Sequence, residues 1–237
     1  MNLLAFDTST DRLSIGVQRG GRHWLHAGAG GAQASGTLIP TALRLLQGAG
    51  LRLAELDAIA FGRGPGSFTG LRTACAVAQG LAWGAGVPVL PVDTLLAVAE
   101  DARLAHGCSA VLALLDARMD QVYAQPWLWT ADAGWSAAGE ASVGAPEDLA
   151  LPTSPASPAA PWGLAGNAFA AYGARLPAAL QVLPQHAALP GAGALLSLAP
   201  ALLAAGRALP AEQALPLYIR DKVAQTTAER AAVAAAR

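Results

Sequence analysis

A glycine-rich stretch, residues 62–72, constrains the fold of this chain more than any other feature. It follows an apolar run at residues 57–61 that is typical of a buried strand, and it leads into residues 67–84, whose apolar and small side chains recur at helical spacing. Three glycines and a proline within five residues allow the backbone to turn sharply. We therefore predict a strand, a tight turn and a helix, and we name the turn, residues 62–67, the glycine hinge.

The chemistry of the glycine hinge is open to two interpretations. Ser67 stands where a helix N-cap belongs, and the free amides of such a helix start can hold an anion. A tight turn that only feeds a packed helix is the alternative. The hinge is not a phosphate-binding P-loop, because no Gly-Lys-Ser/Thr follows its glycines. It is not a nucleophile elbow either, because Pro65 occupies the place of the first glycine.

The composition limits the classes of partner and compartment. The chain has 237 residues, 54% of them hydrophobic and 13% charged, with a formal net charge of −1. This length allows one large domain or two small ones. A nearly neutral chain has no electrostatic field that would hold nucleic acid alone. Apolar runs are interrupted before the ~18 residues of a membrane span, and the first residues lead directly into a strand pattern, so we expect a cytoplasmic protein without a membrane segment.

The first part of the chain predicts strands joined by a polar turn. Apolar runs at residues 3–6 and 13–17 flank the turn at residues 7–11, and a third strand fits residues 23–25. Nucleotide-binding folds of the actin, Hsp70 and sugar-kinase type begin in a similar way, with the turn touching phosphate. Asp7 and Ser9 are therefore candidate nucleotide or anion contacts, although such side chains also cap their own turn.

Two helices flank the glycine hinge, at about residues 35–49 and 67–84. In the second helix Gly70, Ala74 and Ala78 recur every four residues, which allows another helix to approach closely. Packing inside one domain and a helix–helix contact with a second subunit both explain this stripe of small residues.

A second half is predicted to begin after a strand at residues 87–92 and a helix that ends near 105. We expect one subdomain at residues 1–105, containing the dimerisation helices, and another at 106–237. The second half shows further strands at 110–115, 122–129 and 162–166, helices at 168–175 and 192–206, a proline-rich linker at 140–161 whose loop centres on 150–161, and a frayed alanine-rich helix over 221–237.

Charged residues between the strands at 110–115 and 122–129 form another candidate site. Asp116, Arg118 and Asp120 could build an acid–base or anion site, or could simply be solvated turn residues. A metal site is not expected. His23 and His26 point to opposite faces of a strand, and the other two histidines lack companions at ligand spacing.

Five segments together resemble one family. They are Asp7-Thr8-Ser9-Thr10, residues 62–72, Ala-Gln-Gly-Leu-Ala at 78–82, Asp-Ala-Arg-Met at 116–119 and Pro-Leu-Tyr-Ile-Arg at 216–220. In this order they resemble the TsaB (YeaZ) family of threonylcarbamoyladenosine (t6A) biosynthesis, which is related to the TsaD/Gcp glycoprotease-like (peptidase M22) proteins. The resemblance implies an α/β fold of two actin-like (ASKHA, ribonuclease H-like) subdomains, each a mixed sheet flanked by helices.

The resemblance also implies a function. Family members are non-catalytic partners of a TsaD-type transferase and, with a TsaE-type ATPase, support transfer of threonylcarbamoyl to adenosine 37 of tRNAs that read ANN codons. It implies that tRNA is met only through the complex, that no cofactor is required, and that ATP or ADP, if bound, lies at a complex interface. The first two helices are the family's dimer surface, so a homodimer is expected when the chain is alone.

These considerations give two sets of site residues, with no catalytic residue and no metal ligand. The expected partner interface consists of Leu38, Leu45, Phe68, Leu71, Ala74 and Ala78. The expected nucleotide or anion contacts are Asp7, Ser9, Arg63 and Arg118.

Two other functions remain as alternatives. An autonomous nucleotide-binding protein or ATPase of the actin-like superfamily would need a glycine-rich phosphate turn in each half, which the turn at Asp7 lacks. A metallopeptidase would need three protein ligands for zinc. The chain has no HxxxH pair, and Ala34-Ser35-Gly36-Thr37 stands where some family members carry a histidine.

Overall fold

The computed structural model describes residues 1–152 and 161–220. The helix predicted for residues 221–237 and most of the proline-rich loop therefore lie outside the described residues. The first half contains the following elements: β1 Asn2–Asp7, β2 Arg12–Arg19, β3 Arg22–Ala29, α1 Ala34–Ala49, β4 Ala58–Gly64, α2 Phe68–Ala85, β5 Val89–Asp93 and α3 Thr94–His106.

The second half contains two long strands and several shorter elements. They are β6 Ala110–Arg118, β7 Gln121–Thr130, β8 Gly134–Ala137, β9 Ser142–Gly144, β10 Gly163–Gly166, α4 Phe169–Tyr172, α5 Ala178–Gln181, β11 Gln185–Ala187 and α6 Ala192–Ala204. The linker predicted over 140–161 is wrong at its start, because Ser142–Gly144 pairs with β7 as an antiparallel strand. That segment is only three residues long, so its sequence carries too little alternation to reveal a strand.

The two halves repeat one sheet topology. The first sheet has the order β3-β2-β1-β4-β5, and the second has the order β8-β7-β6-β10-β11, with β9 added to β7. In each sheet the first three strands are antiparallel, and the last two continue in parallel with the central strand. The expected α/β fold of two mixed sheets flanked by helices is confirmed.

Helices and sheets alternate in layers. Side chains of β1 point alternately to two cores, with Leu3 and Ala5 in a central core and Leu4 and Phe6 in an outer one. The outer core lies between the first sheet and helices α1 and α2. The central core contains α3 and α6 together with residues of both sheets, and a third core lies under α4 and α5. Each sheet is therefore covered on both faces.

Helix α6 comes from the second half of the chain and packs against the first sheet. The backbone amide of Ala192 donates to the hydroxyl of Ser14 at 2.8 Å. Gly16 on β2 lies against this helix, and a Cβ there would displace the ends of the Leu25 and Leu196 side chains, which lie 2.8 and 2.9 Å from its position. The two halves consequently share the central core, and the subdomain boundary at 105–106 stays a prediction.

A buried carboxylate ties three elements together in this central region. Glu100 on α3 is 2% exposed and accepts hydrogen bonds from Arg103 at 2.7 and 2.8 Å. Trp135 on β8 and Ser197 on α6 donate to the same carboxylate. Burial by itself would raise the pKa of Glu100, but the hydrogen bonds from Arg103, Ser197 and Trp135 outweigh it and hold the pKa below its ordinary value.

Candidate functional site

The glycine hinge packs tightly against the turn that follows β1. The hydroxyl of Ser67 accepts a hydrogen bond from the amide of Gly70 at 3.4 Å, so the predicted N-cap is confirmed. The amide of Ser67 donates to the carbonyl oxygen of Ser9 at 2.7 Å. A Cβ at Gly66 would lie 2.6 Å from the same oxygen, so this position requires a glycine. The hinge therefore fixes the start of α2 beside the polar turn.

A cleft of about 390 Å³ opens between the two halves. We call it the cleft; its walls come from the polar turn at 9–11, the hinge at 65–68, the β6–β7 turn at 116–118 and the C-terminal residues 217–220. Both apolar and polar side chains line the cleft, for example Leu115 and Asn167. Elements distant in sequence thus build one concave surface.

Asp7 lies beneath the cleft rather than in its wall. It is fully buried, and its Oδ1 accepts from the amide and the hydroxyl of Ser9 at 2.8 and 2.7 Å. Among the residues that the structure describes, Oδ2 has no hydrogen-bond partner, and it abuts the α-carbon of Gly62, where a side chain would overlap it. Burial raises the pKa of Asp7 to about 7, and the two bonds from Ser9 oppose that rise only in part. Asp7 consequently positions Ser9, which does line the cleft.

Asp116 at the end of β6 repeats this arrangement in the second half. Its Oδ1 accepts from the amide two residues later, that of Arg118, at 2.7 Å, as the Oδ1 of Asp7 accepts from the amide of Ser9. The hydroxyl of Tyr172 donates to Asp116 at 3.1 Å, and the amide of Asp116 donates to Asn167 at 2.9 Å. Unlike Asp7, Asp116 lines the cleft.

The two arginines expected to contact an anion differ in position. Arg118 lines the cleft, where its guanidinium lies 3.0 Å from the carboxylate of Asp116. Arg63 is not among the cleft-lining residues and pairs with Asp93 at the end of β5. Asp93 stands at the N-cap position of α3 but makes no capping hydrogen bond to the helix, because its carboxylate binds Arg63 instead. Ser9 and Arg118 are thus the candidates that the fold brings to the cleft.

Comparisons with known proteins identify the family. Residues 32–228 match the family model described as TsaD, tRNA N6-adenosine threonylcarbamoyltransferase. The tRNA threonylcarbamoyladenosine biosynthesis protein TsaB of Escherichia coli is 32% identical over 225 residues, which cover 94% of this chain and 96% of that protein. The chain belongs to the TsaB family. The TsaB of Haemophilus influenzae is 43% identical over 52% of each chain. The solved structure of YeaZ from Pseudomonas aeruginosa superposes on this TsaB-family chain with a TM-score of 0.83, at 41% identity over 92% of this chain and 99% of the other.

Most of the residues that we expected at a partner interface of this TsaB-family chain are buried inside the monomer. Leu38, Leu71, Ala74 and Ala78 are at most 1% exposed. The stripe of small residues on α2 faces the first sheet, and a Cβ at Gly70 would overlap the carbonyl oxygen of Thr8 on the neighbouring turn. The close approach that the stripe predicts is therefore made by the sheet. Leu38, Ala74 and Ala78 lie in the outer core and Leu71 lines the cleft, so all four lie away from the exposed face of the two helices.

The other two expected interface residues differ from these four. Leu45 is partly buried against the outer core, whereas Phe68 on the first turn of α2 is 39% exposed. Further large apolar side chains are exposed on the same two helices, with Ile39 at 38%, Leu43 at 45% and Trp83 at 69%. The sequence predicts correctly that both helices are apolar. Most of the residues that it assigned to an interface, however, lie on the inner faces of these helices. A helix that is apolar on both faces gives no periodic signal to separate them.

Residues 1–152 and 161–220 hold neither a metal-ligand cluster nor a membrane-spanning helix. In that part of the chain no three His, Cys, Asp or Glu side chains are grouped to hold a metal ion. None of the helices described there combines the length and apolar character that a membrane span requires.

Proposed function

We propose that this chain is a non-catalytic partner of a TsaD-type transferase in t6A modification of adenosine 37 in tRNAs that read ANN codons. Support comes from its membership of the TsaB family and from the name of its Escherichia coli relative, a threonylcarbamoyladenosine biosynthesis protein. The family model matched by the chain describes the transferase itself, so a complex of two related folds is consistent with the match.

The outer surface of α1 and α2 is the observation that carries this proposal. Ile39 and Leu43 on α1, with Phe68 and Trp83 on α2, expose large apolar side chains although the inner faces of both helices already fill the outer core. We call this surface the partner face. Exposed apolar side chains that gather on one face mark a protein contact rather than a free surface. The partner face is the surface we propose for the TsaD-type protein, and a homodimer through it would compete with that complex.

The state of the charged groups around the cleft supports a non-catalytic role. Arg63 pairs with Asp93, and Arg118 pairs with Asp116. Asp7 is sealed beneath Ser9. A general acid or base has to reach substrate, and a carboxyl under the cleft floor does not. With a net charge of −1, the chain is proposed to meet tRNA only through the complex, which a TsaE-type ATPase joins in the cytoplasm.

Light scattering after size-exclusion chromatography tests the proposed partner. The chain alone should elute as a homodimer, and mixing with the TsaD-type protein from the same source should produce a 1:1 complex. Leu43→Arg should abolish both species, because it places a charge in the middle of an apolar contact. Leu104→Arg is the matched control, since Leu104 is 52% exposed on α3, away from the partner face. Equal complex formation by the two variants would contradict the assignment.

Nucleotide binding without a partner is the second candidate. The cleft favours it, because the start of α2 and the hydroxyls of Ser9 and Ser67 line one wall. Titration calorimetry of the isolated chain with ATP or ADP decides this candidate. Saturable heat at micromolar nucleotide would support an autonomous nucleotide-binding protein, whereas no heat would leave nucleotide, if any, to an interface in the complex.

A further inference from the structure

The C-terminal residues 209–220, which we call the C-terminal strap, cross from the first half of the molecule to the second. The strap begins at the edge of the first sheet, where Leu209 exchanges backbone hydrogen bonds with Val89 at 2.8 and 2.9 Å. It continues along α2, and Ala211 and Ala214 are buried in the outer core. The strap is therefore anchored to the first half although it follows the second half in sequence.

The middle of the strap contacts both the glycine hinge and the partner face. The amide of Leu217 donates to the carbonyl oxygen of Arg63 at 2.7 Å. The next residue, Tyr218, packs against Phe68 with ring centroids 5.5 Å apart. Arg72 stacks over Phe68 at 3.8 Å and donates to the hydroxyl of Tyr218 at 3.1 Å. This aromatic–arginine cluster remains partly open, because Tyr218 is 44% exposed.

The end of the strap holds a wall of the cleft. Arg220 donates to the carbonyl oxygen of Ala117 at 2.9 Å and to Gln121 at 2.7 Å, on the two sides of the β6–β7 turn. Three consecutive residues of that turn, Arg118 to Asp120, adopt positive φ angles of 61°, 55° and 58° without a glycine. Such a backbone is disfavoured for L-residues and persists when its surroundings hold it. Arg220 is one of the groups that hold it.

We propose that the C-terminal strap couples occupancy of the partner face to the geometry of the cleft. A protein that covers Phe68 and Arg72 also covers Tyr218, and thereby fixes the strap between the hinge and the β6–β7 turn. Tyr218 and Arg220 are separated by a single residue, so ordering the tyrosine restricts the arginine. The coupling is reciprocal, so a ligand that narrows the cleft strengthens binding at the partner face.

This inference rests on the proposed function, since it takes a TsaD-type protein as the occupant of the partner face. The coupling predicts a change in the dynamics of the β6–β7 turn, which binding alone does not require. Ala117 and Arg118 line the cleft but belong to the β6–β7 turn of the second half, and a simple docking contact on α1 and α2 would leave the backbone dynamics of that turn unchanged. Slower opening of that turn in the complex is therefore the specific signature of coupling.

Amide hydrogen exchange of the full chain, free and in complex with the TsaD-type protein, tests the proposal. Exchange at residues 117–121 and 215–219 should slow in the complex by at least about fivefold, the lower end of the usual coupling between linked sites. Tyr218→Ala removes part of the contact with the partner, so it is compared at concentrations of the TsaD-type protein that saturate it. The saturated variant should lose the protection at 117–121, which separates coupling from occupancy of the partner face. Arg207→Ala, an exposed substitution just before the strap, should behave like the parent.

The outcomes distinguish the two proposals. A complex in which residues 117–121 exchange as they do in the free chain overturns the coupling and leaves the partner role intact. The same holds if Tyr218→Ala retains full protection at 117–121. A parent chain that forms no complex overturns the proposed function, and the coupling with it.

Discussion

Gly70 on α2 touches Thr8 so closely that neither could be moved independently. The hydroxyl of Thr8 donates to the carbonyl oxygen of Gly70 at 2.7 Å, and a Cβ at position 70 would overlap the carbonyl oxygen of Thr8. This contact fixes the helix of the partner face against the turn that carries Ser9. The partner face and the floor of the cleft are thereby parts of one rigid arrangement.

Replacing Gly70 with alanine should destabilise the fold. The added methyl group can be accommodated only if α2 moves away from β1, so we expect a loss of about 3 kcal/mol in the free energy of unfolding. Gly80→Ala is the control on the same helix, because nothing lies within 4 Å of a Cβ at that position. It should stabilise the chain by up to ~1 kcal/mol through its higher helix propensity. Urea denaturation of both variants measures the difference, and equal stabilities would refute the close contact.

Asp7 should make stability depend on pH. Its pKa rises from 3.8 in the unfolded chain to about 7 in the fold, so the folded state binds a proton more tightly. That contribution is complete below pH 4 and is lost as the pH rises through 7. Asp7→Asn removes the titration while keeping an oxygen for Ser9. Relative to the parent, the variant should therefore gain roughly 2 kcal/mol between pH 5 and pH 7.

Denaturant unfolding at several pH values tests this expectation. The asparagine amide faces the site where Oδ2 has no partner, so the variant is expected to be less stable than the parent at low pH. The informative quantity is how the difference in unfolding free energy between Asp7→Asn and the parent changes with pH. A constant difference between Asp7→Asn and the parent would mean that Asp7 does not titrate in this range.

Replacing Glu100 should lower the free energy of unfolding more than replacing most other charged residues of the chain. Glu100→Gln puts an amide where Arg103, Trp135 and Ser197 all donate, so at least one donor is left unpaired in a buried place. We expect a loss of roughly 3 kcal/mol. Glu140→Gln changes an exposed glutamate and should stay within about 0.5 kcal/mol of the parent. Thermal and urea unfolding of the pair measure this, and a neutral Glu100→Gln would show that the network contributes little.

The strand, hinge and start of α2 could be predicted because their signals are local. Glycines, a proline and a capping serine lie within a few residues of one another, and each restricts the backbone where it stands. The β6–β7 hairpin was equally clear. The strands β8, β9 and β11, of three or four residues each, were missed because they show neither a period-two pattern nor an apolar run, whereas the equally short β10 was predicted from the apolar and small residues at 162–166.

The candidate site could be predicted only in part, since its residues meet across long sequence separations. The period of four in Gly70, Ala74 and Ala78 correctly indicates a close approach but does not say whether a sheet or a second helix approaches. Arg72 and Tyr218 are 146 positions apart, and nothing in either local sequence reveals their contact. The pairing of Arg63 with Asp93 joins residues 30 positions apart, and neither local sequence reveals it.

The position of α6 has a consequence for synthesis on the ribosome. The inner face of β1 and β2 is covered by a helix that spans Ala192–Ala204, so that face stays uncovered until almost the whole chain has been made. The hydroxyl of Ser14 likewise receives its hydrogen bond from the amide of Ala192 only after α6 has been made. The first half can form its strands and outer helices early, but it reaches its final packing only after the second half has left the exit tunnel. Completion of the first sheet is thus a late event in the life of the nascent chain.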